Sequence, residues 1–138
     1  VRMGDPECQT ILPKLKSDLF EIFLSCCNEK LDQTVIEWHN KKSLCIVLCS
    51  NGYPGQFQKD ILIENLDQVK FNKDQYCYHA GTSIVNNQIY ATGGRVLNFV
   101  CLSENFSLAR IRVIDSIKSL NWSGGFYRRD IGCKVINE

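Results

Sequence analysis

At Thr34 the spacing of apolar residues changes from helical to alternating, and no other feature narrows the fold as much. Upstream, Phe20, Phe23, Leu24, Cys27 and Leu31 recur at steps of three and four, the stripe of an amphipathic helix. Ser17 precedes that run as a candidate N-cap. Asp5-Pro6-Glu7 marks an earlier helix start, with Pro at the first position and acids in the first turn. Pro13 predicts a kink or break between the two pieces. From Thr34 onward the period is two, and TVIEWH, SLCIVLCS, DILIENL, QYCYHAG, SIV, QIYATGG and RVLNFVCL read as short strands. Asn-Gly, Pro-Gly, Asn-Asn and Gly-Gly punctuate them, and Asn86-Asn87 fits a two-residue hairpin turn. After Ser103, a second N-cap candidate, Phe106, Ala109, Val113, Ile117 and Leu120 form the buried face of another helix. The expected class is α+β: a helical segment over residues 1–35, then an antiparallel sheet, barrel-like or sandwich-like, over 36–138 with one covering helix.

Composition removes several functions. With 16 Lys+Arg against 15 Asp+Glu, a net charge of +1 supplies no global field for nucleic acid or an anionic membrane. The apolar runs fall far short of the ~20 residues of a membrane helix. No basic-then-apolar leader opens the chain, and its start at Val1 rather than Met predicts an excised or partial piece. Eight cysteines are unusual, but several sit inside apolar runs, where a free thiol behaves as a small hydrophobe. There is no C-x-x-C; Cys45 and Cys49 on one strand would lie roughly 13 Å apart, too far to share a zinc ion. Reduced core cysteines in a cytoplasmic protein are therefore expected.

Four segments could carry chemistry. Arg128 and Arg129 together offer up to ten donors to a phosphate or carboxylate. Strand geometry sends adjacent side chains to opposite faces, so they converge on one anion only if the backbone bends. The plainer reading is a surface pair bridged to Asp130. Arg95 follows Gly93-Gly94, glycines that permit close approach of a ligand or of another strand. His79, with Thr82 three residues on, is a candidate base or hydrogen-bond partner, or else a structural histidine. Asp5 contacts an amine or metal, or serves the helix start. Asn51 to Gly55 forms a turn-rich loop that could cover a site, and no GxxxxGK[ST], GxSxG or HExxH occurs.

Taken in order, Gly4-Asp5-Pro6-Glu7-x-Gln9, Ser17-Asp18-Leu19, Gly52-Tyr53-Pro54-Gly55, His79-Ala80-Gly81-Thr82, Gly93-Gly94-Arg95-Val96-Leu97 and Tyr127-Arg128-Arg129-Asp130-Ile131-Gly132 cover nearly the whole chain. The set resembles the C-terminal part of the phosphoribosylamine–glycine ligase (glycinamide ribonucleotide synthetase) family of ATP-grasp enzymes. The resemblance implies an ATP-dependent ligase of de novo purine synthesis that joins glycine to 5-phosphoribosylamine through a glycyl phosphate, with Mg²⁺ or Mn²⁺. It implies that residues 1–35 are the tail of the ATP-grasp domain, and that 36–138 are a small β-rich domain closing the active-site cleft. The metal ligands and the ATP-holding strands are expected upstream of Val1, leaving no metal site and no catalytic residue in this chain, and no activity for it alone. Arg128 and Arg129 become candidates for the phosphate of phosphoribosylamine, with Arg95 and Asp5 next and His79 and Thr82 as site wall or scaffold. The sequence departs from the family's Lys-Gly and Gly-Leu at Lys59-Asp60 and Asn65-Leu66, where different turns are expected, and residues 70–76 follow no family pattern. Two alternatives stay open: a non-catalytic interaction module using a sheet edge or the cysteines, and another ATP-grasp ligase or carboxylase.

Overall fold

The computed structural model describes residues 2–136. The chain is mixed α/β with antiparallel sheets. Its helices are α1 (Glu7–Ile11), α2 (Leu19–Cys27), α3 (Phe106–Leu120) and α4 (Cys133–Ile136). Its strands are β1 (Lys42–Ser50), β2 (Ile61–Leu62), β3 (Gln75–His79), β4 (Thr82–Val85), β5 (Gln88–Ala91), β6 (Arg95–Ser103) and β7 (Gly125–Phe126). One sheet has the order β3-β6-β1-β7 and the other β2-β5-β4.

The period of two places the core. On β1, Leu44, Ile46 and Leu48 pair with Cys101, Phe99 and Leu97 of β6. Partners across a ladder share a face, so these six present one apolar surface. The stripe on α3 covers it, with Ala109, Val113, Ile117 and Leu120 buried. Phe99 is 1% exposed, and truncating such a side chain to Ala costs about 3–5 kcal/mol. The opposite face carries Cys45, Val47 and Cys49 of β1, with Asn98 and Val100 as the partners of Val47 and Cys45. Because both its faces are covered, every residue of β6 after Arg95 is buried.

Several local expectations change. Ser17 does not cap α2; Asp18 does, its carboxylate accepting from the Phe20 and Glu21 amides at 2.7 and 3.3 Å. The Ser17 hydroxyl accepts instead from the Glu37 amide at 2.8 Å. Ser103 still belongs to β6, opposite Lys42, so the cap of α3 falls to Asn105, whose side chain accepts from the Leu108 amide at 2.8 Å. TVIEWH forms no named strand. Its backbone bonds back to residues 14–17, with Glu37 O accepting from the Lys16 amide at 2.9 Å and Lys14 O from the His39 amide at 2.8 Å. DILIENL reduces to β2, because left-handed Asn65 turns the chain into the 3₁₀ turn Leu66–Gln68. The Asn86-Asn87 turn is as read: both residues have positive φ, 50° and 61°, the requirement of a type I′ hairpin.

The helical stripe is present on α2 through Phe20, Phe23, Leu24 and Cys27 but uncovered, and Leu31 falls beyond it in the 3₁₀ turn Leu31–Gln33. No residue of α2 is buried, Phe20 is 68% exposed and Phe23 52%. The cysteines are also more open than core packing requires. Cys101 is buried, Cys26 and Cys27 are exposed, and the other five are intermediate.

Candidate functional site

The two sheets meet where the chain crosses itself at Gly81 and Gly93. The Gly81 amide donates to Arg95 O at 2.8 Å, and the Thr92 and Gly93 amides donate to Gly81 O at 2.8 and 3.1 Å. A Cβ at Gly81 would stand 2.5 Å from the Gly93 Cα. The glycines of the His79-to-Thr82 and Gly93-Gly94-Arg95 segments therefore serve the approach of one strand to another. Gly94 lies directly under the Tyr53 ring, where a Cβ would collide. The Ser50 hydroxyl donates to Gly93 O at 2.8 Å and the Ser50 amide to Gly94 O at 2.8 Å, tying the end of β1 to the crossing.

Beside this crossing a cleft of about 330 Å³ opens over the face of β1 turned away from α3. Cys45, Val47 and Cys49 form its floor, with Pro6, Tyr53, Pro54, Phe126, Arg128 and Ile131 around it. Apolar walls with one guanidinium among them suit a ligand having a compact body and an anionic end. The Asn51–Gly55 loop contributes a wall through Tyr53 and Pro54. Burial pushes the Cys45 thiol up to about 12, and the Thr10 side chain opposes it by a hydrogen bond. Cys49 is also raised by burial, with the Arg95 charge pulling the other way. These thiols stay protonated at neutral pH and are poor nucleophiles.

Asp5 and Arg95, 90 residues apart in sequence, meet at this end of the sheet. Arg95 Nε lies 3.3 Å from Asp5 Oδ2, and its terminal nitrogen donates to the Asp5 backbone carbonyl at 2.5 Å. Gln9 Nε2 and Asn98 Nδ2 donate to Asp5 Oδ1 at 2.8 and 3.4 Å. Asn98 is fully buried, and its Oδ1 and Gln9 Oε1 have no hydrogen-bond partner. Gln9 stands four residues after Asp5 within the first family motif, so its contact is local. Asn98 has no mark in the sequence beyond its polarity, since only the packing of the α1 segment on β6 brings it to Asp5.

Arg128 and Arg129 do not converge. Arg128 faces the cleft and grips Asp130 with both ends of its fork, Nε to Oδ1 at 3.1 Å and a terminal nitrogen to Oδ2 at 2.5 Å. That pairing holds the Asp130 carboxyl below the usual carboxylate range. Arg129 lines a different depression of about 370 Å³, with Lys118, Trp122 and Tyr127. His79 Nδ1 and Thr82 Oγ1 lie 3.0 Å apart, on the crossover rather than in the cleft. The structure thus brings Asp5, Arg95 and Arg128 around one end of the sheet, places His79 with Thr82 beside the crossing, and sends Arg129 elsewhere. Among the described residues, no three His, Cys, Asp or Glu side chains are grouped to hold a metal ion.

Residues 43–134 match the family model described as phosphoribosylglycinamide synthetase, C domain. The chain is similar to phosphoribosylamine–glycine ligase of Caldanaerobacter subterraneus, 40% identical over 94% of this chain and 30% of that protein. It is likewise similar to the bifunctional purine biosynthetic protein purD of Dictyostelium discoideum, 39% identical over 99% of this chain and 17% of that protein. The crystal structure of phosphoribosylamine–glycine ligase from Thermotoga maritima superposes with a TM-score of 0.70 at 25% identity, over 95% of this chain and 32% of that one. The chain thus spans less than a third of each of these relatives.

Proposed function

The chain belongs to the phosphoribosylglycinamide synthetase C-domain family, and on that premise we propose that it is the C-terminal portion of a phosphoribosylamine–glycine ligase of purine biosynthesis. A carboxylate is a poor electrophile, so the glycine carboxylate first attacks the terminal phosphorus of ATP, releasing ADP and leaving an acyl phosphate. The amine of 5-phosphoribosylamine then attacks the acyl carbon, phosphate departs, and the amide of glycinamide ribonucleotide remains. Water must be kept from the acyl phosphate, or it hydrolyses. A β-rich domain closing over the substrates serves that purpose. The ATP-binding strands and the magnesium or manganese ligands are assigned to the part of the ligase this chain does not span.

Within the chain, Arg128 is assigned to the phosphate of phosphoribosylamine. Its guanidinium is exposed, faces the cleft and is held by a surface pair with Asp130 of the kind worth little in water. A dianionic phosphate can therefore displace that carboxylate. The Arg95–Asp5 pair, beside the floor residue Cys49, is assigned the next contact, while Arg129 in its own depression and His79 with Thr82 on the crossing are read as scaffold of the domain. Residues 1–35 are read as the tail of the ATP-grasp domain, and 36–138 as the small closing domain, its two sheets meeting in barrel-like fashion at Gly81 and Gly93. The uncovered Phe20, Phe23 and Leu24 of α2 support the division, since such a stripe suits packing against the rest of the larger domain. Eight unpaired thiols suit a reducing cytoplasm.

The observation that carries the reading is the match of nearly the whole chain to less than a third of each ligase. The test is ADP release that depends on both glycine and phosphoribosylamine. The intact protein should show it and the isolated 138-residue chain should not. Turnover by the isolated chain, or turnover indifferent to glycine, would overturn the proposal.

A further inference from the structure

We propose that Arg110 is the positioning residue that holds the Arg128 turn against the cleft; the functional half of this inference rests on the assignment of Arg128 to the substrate phosphate. Arg110 projects from α3, on the other side of β1 from the cleft. Its Nε donates to Ile131 O at 2.9 Å, and a terminal nitrogen donates to Arg129 O. Among the described residues Arg110 forms no ion pair with a carboxylate. Its fork is satisfied by two backbone carbonyls that bracket Asp130.

Those carbonyls belong to a turn whose Tyr127 and Ile131 side chains pack against the core, and Arg110 adds the side-chain hold on its backbone. The turn ends at Gly132, whose φ of +81° suits glycine, and a Cβ there would lie 2.7 Å from Leu44 and 3.5 Å from the Arg110 stem. Beyond it, Asp130 O accepts from the Cys133 amide at 3.1 Å, opening α4. The Arg128–Asp130 pair lies within the turn itself, two residues apart and largely exposed, so it cannot fix the turn relative to the sheet. Arg110 can, because a planar guanidinium presents parallel donors at fixed spacing, whereas a lysine ammonium is a point donor. Since Arg128 and Ile131 both wall the cleft, the hold on Arg129 O and Ile131 O sets where the phosphate-gripping fork stands.

The test uses the intact ligase with Arg110→Lys, Arg110→Gln and Arg128→Ala, each checked for an unchanged thermal transition. Both Arg110 variants should raise the KM for phosphoribosylamine about tenfold and leave the KM for ATP within about twofold, the scale of a misplaced contact. Retaining the charge in Arg110→Lys should not rescue. Deuterium exchange at the Cys133 amide should accelerate in both. A merely structural role would lower the amount of active enzyme without separating the two KM values. Unchanged exchange at Cys133 with unchanged KM values overturns the inference, even while Arg128→Ala supports the phosphate assignment. If Arg128→Ala leaves the phosphoribosylamine KM unaltered, the assignment of Arg128 falls instead. Faster exchange at Cys133 would then still support the hold by Arg110, and unchanged exchange would overturn it.

Discussion

Cys45 and Cys77 both have thiols pushed up to about 12, chiefly by burial, from an ordinary value of 9.0. In the unfolded chain they ionise near that ordinary value, while in the folded chain they remain protonated. Their contribution to stability is therefore complete below pH 9.0 and drains away as the pH rises toward about 12. Each thiol steepens the loss by roughly 1.4 kcal/mol per pH unit. The denaturation midpoint should fall between about pH 9 and 11, and a Cys45→Ala, Cys77→Ala variant should lose part of that slope. In native protein at pH 8, an alkylating reagent should modify exposed Cys26 and Cys27 well before Cys45 or Cys77. Gly81→Ala places a Cβ 2.5 Å from the Gly93 backbone, where no flexible side chain can yield. It should destabilise by about 1–3 kcal/mol, seen as a lower midpoint in urea, whereas Gly55→Ala, with 3.3 Å to its nearest neighbour, should be milder.

Elements were legible to the extent that their signals are local. The α3 stripe placed its buried face correctly, and Asn86-Asn87 announced its hairpin, because periodicity and turn chemistry depend on neighbours in sequence. The caps slipped by one or two residues, since Ser17 and Ser103 are as good cap formers as Asp18 and Asn105. What separated them was a tertiary bond to Glu37 in the first case and pairing within β6 in the second. TVIEWH shows the limit of alternation alone, for nothing in it says whether a ladder partner exists. On α2 the stripe is present and no residue is buried, which fits the proposed role of α2 as a face turned to the rest of the ligase. Phe20→Ser with Phe23→Ser should therefore cost the isolated chain little in its urea midpoint and improve its solubility. In the intact ligase the same pair should lower the thermal transition by several degrees, since each buried aromatic contributes about 1.5–3 kcal/mol. Equal effects in the two contexts would count against α2 as an interdomain face.

At the scale of the whole molecule, the sequence carried the parts of the cleft but not their grouping. Asp5 and Arg95 were singled out for different reasons, and only the packing of α1 on the sheet brings them into contact. Arg128 and Arg129 admit an anion clamp or a surface pair bridged to Asp130, and the turn gives the bridge at Arg128 while sending the two side chains into separate depressions. Arg110, which holds that turn, carries no sequence signal, because its partners are backbone carbonyls 19 and 21 residues away. The ordered motifs identified the family, since spacing across a chain records a fold that local rules do not, but they did not group these side chains. If the cleft beside Arg128 receives the phosphate end of phosphoribosylamine, the Michaelis constants of an Arg128 variant show it. In the intact ligase, Arg128→Ala removes a charge-assisted contact worth about 1.5–3 kcal/mol. The KM for phosphoribosylamine should rise about 10- to 100-fold while the KM for ATP stays within about twofold; an equal rise in both, or no rise in either, would contradict it.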